Sequence, residues 1–241
     1  MLLGSLDLLL SDPLEFLRVF PILLGTVGVA LLVAITIHEF SHALAAYLLG
    51  DPTARRMGRL SLNPIRHLDP VGTVLMLLVG FGWGKPVPVN TLALKGGRHG
   101  MAAVAAAGPL SNLVAAFLFA LLIRLGLLGI GGLGSPFLFN ALFATGLQGF
   151  LYQMVSIIIF YNIILAVFNL IPMFPLDGSN VALGLLPANL AHQYARLAKY
   201  GPALLLTVIA VDTFTHLGIL SRIIGPVVNY IAYLLLNQGI F

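Results

Sequence analysis

FLRVFPILLGTVGVALLVAITIHEFSHALAAYLL, running from Phe16 to Leu49, decides the class of fold. It is longer than the ~20 mostly apolar residues a helix needs to cross the hydrocarbon of a bilayer. Yet it carries His38-Glu39-Phe40-Ser41-His42 well inside it. Ionisable groups within a span are costly and mark function more often than packing.

The rest of the chain repeats the apolar pattern. Met101 to Leu128 and Pro136 to Ile171 are long enough to span, and Pro202 to Leu220 and Ile223 to Leu236 are two further candidates. Hydrophobic residues make up 59% of the 241, charged residues 8%, and the mean hydropathy is +1.04. A water-facing domain averages about 25% charged residues, so a soluble protein is excluded. With no cysteine, disulfide and thiolate chemistry are excluded too. The expectation is an all-α polytopic membrane protein of five to six transmembrane helices, with residues 1–241 forming a single membrane-embedded domain. The first span reads as a permanent helix, being too long and lacking the basic leader of a cleaved signal.

The basic residues lie in the connections, so the net charge of +4 reads topology and gives no sign of nucleic-acid binding. Arg55, Arg56, Arg59, Arg66, Lys85, Lys95 and Arg98 all fall between the first two long spans, which puts that connection in the cytoplasm of a multi-pass cell-membrane protein. Arg196 and Lys199 mark a second cytoplasmic loop. Val71 to Trp83 is apolar but too short to span and reads as re-entrant or interfacial. Arg59-Leu-Ser-Leu-Asn63 alternates in polarity like a strand, and the prolines of Lys85-Pro-Val-Pro-Val-Asn90 favour an extended chain. A small interfacial β or re-entrant element is therefore expected here. Its free edge would pair with an unwound substrate; the alternative is an ordinary structured loop.

On a helix, His38 and His42 share a face, and Glu39 lies about 100° round from His38. The imidazoles can take two positions on a zinc ion while Glu39 reaches a water upon it. A catalytic zinc needs a third protein ligand and an open position. Asp177 suits the third place. It sits in Asn169-Leu-Ile-Pro-Met-Phe-Pro-Leu-Asp177-Gly178, where two prolines break the helix after a long apolar run. Irregular backbone at membrane depth persists only where protein or a wet cavity satisfies it. A solvated loop aspartate is the competing reading. The topology bears on the choice: the first and third spans both run inward, so the histidines and Asp177 reach similar depth.

His38-Glu-Phe-Ser-His42 together with Asn169 to Gly178 resembles the site-2 protease family of intramembrane zinc metalloproteases. The resemblance extends to Gly108-Pro-Leu-Ser-Asn112, Gly50-Asp-Pro-Thr-Ala54, Leu62-Asn-Pro64 and His67-Leu-Asp-Pro-Val-Gly-Thr73. It implies His38, His42 and Asp177 as ligands of one zinc per chain, Glu39 as catalytic base, and cleavage of transmembrane protein substrates near the cytoplasmic face. Some relatives carry a PDZ or CBS domain, and this sequence shows neither.

Asn112 and Asn169 are candidate substrate or oxyanion donors. Asn112 can equally tie two helices together on a small-residue face, and Asn169 can cap the helix break. His67, His99, His192 and His216 read as loop histidines, Asp69 as a turn former before Pro70, and Trp83 and Tyr200 as interfacial aromatics. A membrane metal transporter or sensor with the same three ligands is the rival function. It needs neither a base nor an open coordination position.

Overall fold

The computed structural model describes residues 10–79, 82–127, 146–215 and 217–237. The first helix, α1 (Pro13–Leu48), starts where Asp12 accepts a hydrogen bond from the Glu15 backbone N–H and Pro13 occupies the first turn. It ends at Leu48, two residues before Gly50, whose φ of +102° favours a residue without Cβ. Two short elements, α2 (Thr53–Arg56) and α3 (Pro70–Val79), lie in the connection to α4 (Gly97–Arg124). Then follow α5 (Gly146–Asn169), α6 (Asp177–Leu185), α7 (Ala188–Ala195), α8 (Gly201–Thr215) and α9 (Ile219–Leu236).

The bundle is built on α4, which packs against α1, α5 and α6. Small residues let the backbones approach: Ala116 and Ala120 of α4 are buried with Ile159 and Ile163 of α5 and Val228 and Ala232 of α9. A second core joins α1 to α5 through Val27, Ala30, Ile157 and Ile158. These contacts place the middle of α1 between α4 and α5, where its histidines are.

Four helices, α1, α4, α5 and α9, are long and apolar enough to cross a membrane. Residues 188–199 with α8, bent by 61°, add a fifth if taken as one broken span. The expected five to six are thus four to five among the described residues. The run from Pro202 to Leu220 does not form one helix. It stops at Thr215, and Asp212 turns back to accept from the Ile219 and Leu220 backbone N–H groups at the start of α9. The first part of the expected third span, Pro136 to Thr145, and Leu128 at the end of the second lie outside the described residues, as does His216.

Between α1 and α4 the expected β element is corrected. No strand occurs among the described residues; an isolated antiparallel bridge joins Leu68 to Gly84. Arg59–Asn63 is bent, because the Arg59 side chain turns inward to donate to the carbonyls of Arg66 and Lys85. Pro86 and Pro88 have no N–H to offer a ladder. What does form is a loop that leaves and returns. Helix α3 goes out from Pro70, and the chain comes back to bridge at Gly84 and to donate from Lys85 N–H to the His67 carbonyl at 2.8 Å.

Candidate metal centre

His38 and His42 lie one turn apart on α1 and are buried, at 5% and 8% exposure. Their ring centroids are 4.6 Å apart with planes at 88°. Opposite them stands Asp177, the first residue of α6. The α5 helix gives way after Asn169 to turns at Ile171–Leu176 before α6 begins. Gly178 is required by closeness: a Cβ there would lie 2.3 Å from the Leu170 carbonyl oxygen. The Asp177 Oδ2 atom lies 3.0 Å from His38 Nε2 and 3.2 Å from His42 Nε2.

The back of each ring is committed. His42 Nδ1 lies 2.7 Å from the Val104 carbonyl oxygen, which can only accept, so Nδ1 carries the proton. His38 Nδ1 lies 2.6 Å from Asn112 Oδ1. Both rings therefore turn Nε2 towards Asp177 Oδ2. Two imidazole nitrogens and a carboxylate oxygen converging within 4.8 Å of one another form a set that can hold a metal ion.

The donor set fits zinc, which takes neutral imidazole nitrogen and carboxylate oxygen, with three protein ligands at catalytic sites. A Cβ on Gly108 would come 2.4 Å from His42 Nε2 and 2.8 Å from His38 Cε1, so glycine in α4 clears room for the imidazoles.

The cluster opens onto a cavity of about 530 Å³. Its walls come from α1, α4, the end of α5, α8 and the returning leg Gly82–Val87. Glu39 lines it, and Glu39 Oε2 is buried with no hydrogen-bond partner. This orphaned acceptor, on the same cavity as the three metal-ligating atoms, is placed to meet a ligand there.

The chain is 38% identical over 212 residues to a Bacillus subtilis protein named "Putative zinc metalloprotease YwhC", covering 88% of this chain and 85% of that one. It belongs to the site-2 protease family. A Mycobacterium tuberculosis protein named "Putative zinc metalloprotease Rip2" is 30% identical over 173 residues, 69% of this chain and 58% of that one. Its Mycolicibacterium smegmatis namesake is 31% identical over 125 residues, 48% of this chain and 46% of that one. No family model and no solved structure matches.

Membership gives the remaining residues a frame. Asn169 lines the cavity and donates from Nδ2 to the Leu165 carbonyl at 2.9 Å. Asn112 is fully buried behind His38, outside the cavity lining, with Nδ2 donating both to the Ala34 carbonyl at 2.9 Å and to Asn162 Oδ1 at 2.7 Å. Asn162, in the middle of an apolar span, was not singled out from the sequence, although an amide at that depth is a signal in itself. Asn180, one turn beyond Asp177, also lines the cavity. Trp83 lines it as well and is 41% exposed. His67 lies in the connection, as expected, but is wholly buried there and donates from Nε2 to the Ser61 carbonyl at 2.6 Å. His99 and His192 are exposed. Asp69 accepts from Gly72 N–H at 2.8 Å, as a turn former does.

Proposed function

We propose that this protein is an intramembrane zinc metalloprotease that hydrolyses peptide bonds of membrane-spanning proteins near the cytoplasmic face. The carrying observation is the convergence of His38 Nε2, His42 Nε2 and Asp177 Oδ2 on a cavity that Glu39 also lines.

One zinc per chain, held by those three atoms, would supply a Lewis acid that acidifies a water and polarises the scissile carbonyl. Glu39 takes the proton of the attacking water and hands it to the leaving amine. Its unpartnered buried oxygen leaves an acceptor position free for that proton. Asn169, on the cavity wall, is assigned to the substrate carbonyl.

A transmembrane helix hides its amides in internal hydrogen bonds, so a substrate must unwind locally before it reaches Glu39. The largely apolar cavity wall, with Leu31, Ile35, Leu205 and Leu206, suits the side chains of such a segment. Placing the site towards the cytoplasm rests on the basic residues between α1 and α4. A transporter with the same ligands would have no use for Glu39 beside the metal.

The test is cleavage of a model transmembrane substrate by purified protein in detergent or nanodiscs. Cleavage that requires zinc and vanishes in Glu39→Gln is expected. Zinc-dependent metal flux into vesicles without any peptide-bond cleavage would overturn the reading.

A further inference from the structure

The two histidines are held from behind in different ways. His42 leans on a main-chain carbonyl of α4, whereas His38 leans on a side chain, and that side chain leans on another. Asn112 and Asn162 are each fully buried, and they link α1, α4 and α5 at the level of the metal site.

The direction of every hydrogen bond in this chain of groups follows from its ends. Asn162 Nδ2 lies 2.8 Å from the Ile158 carbonyl oxygen, which accepts only, so the nitrogen of Asn162 faces that way and Oδ1 faces Asn112. Asn112 meets two acceptors, Asn162 Oδ1 and the Ala34 carbonyl, and gives one N–H to each. Its remaining atom, Oδ1, is the one left for His38. At 2.6 Å from an oxygen, His38 Nδ1 must be the donor. The proton is thereby pinned on Nδ1, and Nε2 keeps its lone pair for the metal.

We propose that Asn162 is a positioning residue that, through Asn112, fixes the tautomer and ring orientation in which His38 is offered to the metal. The inference rests on the zinc site read above and assigns the site a support two residues deep, on a helix that supplies no ligand of its own within its length. Partners behind a ligating imidazole typically govern metal affinity by 10- to 100-fold. Without Asn162, one N–H of Asn112 is left unpaired in a buried place, and the amide loses half of what holds it in register.

The experiment compares zinc affinity, by chelator competition, in Asn162→Leu, Asn112→Leu and a packing control. The control is Ile163→Ala, which removes a wholly buried side chain next to Asn162 without touching the relay. Asn112→Leu should weaken zinc binding about a hundredfold and Asn162→Leu about tenfold. Ile163→Ala should melt at lower temperature but keep its zinc affinity within about twofold of wild type, because it leaves the ligand supports intact. A second readout is independent of catalysis. In histidine-labelled, zinc-loaded protein the His38 Nδ1–H resonance should be protected from solvent exchange, and Asn162→Leu should lose that protection. Should Asn162→Leu not fold, Asn162→Ser, too short to reach Asn112, is read the same way. Wild-type affinity and protection in a folded Asn162 variant would overturn the proposal. Failure of the protease reading looks different: wild-type protein would bind zinc with the relay intact and cleave nothing.

Discussion

The cavity has two kinds of wall. On one side, α1 presents His38 and His42 to the cavity, with Asn112 of α4 and Asn162 of α5 behind them, all four buried and carried by regular helices. On the other side, the leg Gly82–Val87 has no regular structure and is held by side chains reaching for its carbonyls: Arg59 donates to Lys85 and, at 3.4 Å, to Pro86. The first wall fixes where a metal ion goes. The second lies against the first at Gly84, which packs near Ile35 and Glu39. The difference shows how a membrane protein can combine a rigid metal site with a boundary that depends on a few polar ties.

The comparison is tested hardest at the helical wall. Glu39→Gln should keep zinc and lose proteolysis by at least about 100-fold, since the amide cannot accept a proton. His38→Ala, His42→Ala and Asp177→Ala should lose zinc as well, measured as metal per chain after desalting. Full zinc occupancy in Asp177→Ala would show that the metal is held without the helix break. Next in size is Gly108→Ala. Its methyl group would sit 2.4 Å from His42 Nε2 against an α4 backbone that cannot retreat. Zinc affinity should fall about tenfold or more. An unchanged affinity would mean that the helical wall yields, and the rigid half of the comparison would fail.

The two walls also differ in how far the sequence reveals them. Helical spacing is a property of the chain alone, so His38, Glu39 and His42 could be placed on adjoining faces, and the apolar lengths of α1, α4, α5 and α9 could be read directly. Asp177 needed only the prolines that break α5 and a topological argument about depth. The second wall defeated the same method. Arg59–Asn63 alternates in polarity, but what bends it is a buried guanidinium whose partners, Arg66 and Lys85, are 7 and 26 residues away. Periodicity carries no trace of such long-range ties. Asp212 is a similar case: an acid in an apolar run, it makes sense only once the N–H groups of Ile219 and Leu220 are seen to need an acceptor. Asn112 was legible as a buried amide but not as the partner of His38, because that role depends on which way Asn162 faces.

Arg59 therefore tests the second wall. It is 5% exposed, and Arg59→Ala would strip the Arg66, Lys85 and Pro86 carbonyls of their donor. Stability should drop by about 3 kcal/mol, the scale of hydrogen bonds to a charged group. Arg59→Lys should recover little, because an ammonium lacks the planar fork that serves separate carbonyls at once. Zinc affinity should stay within about twofold of wild type, since no metal ligand or ligand support is touched. Cleavage should fall with the loss of the returning leg. If zinc affinity falls in step with cleavage in folded Arg59→Ala, the two walls are one mechanical unit and the distinction between them breaks down.

The smallest effect is expected where the second wall joins the end of α1. Asp51 is wholly buried and accepts from the Thr53 N–H at 2.9 Å, from the Thr53 hydroxyl, and from the Asn90 N–H at 2.7 Å. It thus fastens the stretch after Val87 to the foot of the first helix. Burial acts to raise the pKa of its carboxyl, but the hydrogen bonds from Thr53 and Asn90, with the nearby Arg56 charge, outweigh burial and hold it below the ordinary aspartate value of 3.8. Folding therefore favours the ionised form. The contribution to stability is complete above the unfolded-state value and is lost as the pH falls through the lower, folded-state value. Asp51→Asn should accordingly be less stable than wild type at neutral pH, because an amide can present only one acceptor oxygen where the carboxylate presents two. The gap in melting temperature should close only below pH 3.8, as the wild-type carboxyl takes up its proton. Melting curves of the two proteins between neutral pH and the acid limit measure it. A gap that stays constant into acid would mean that Asp51 holds the Asn90 segment by shape alone, and the polar tie at this corner of the second wall would have to be withdrawn.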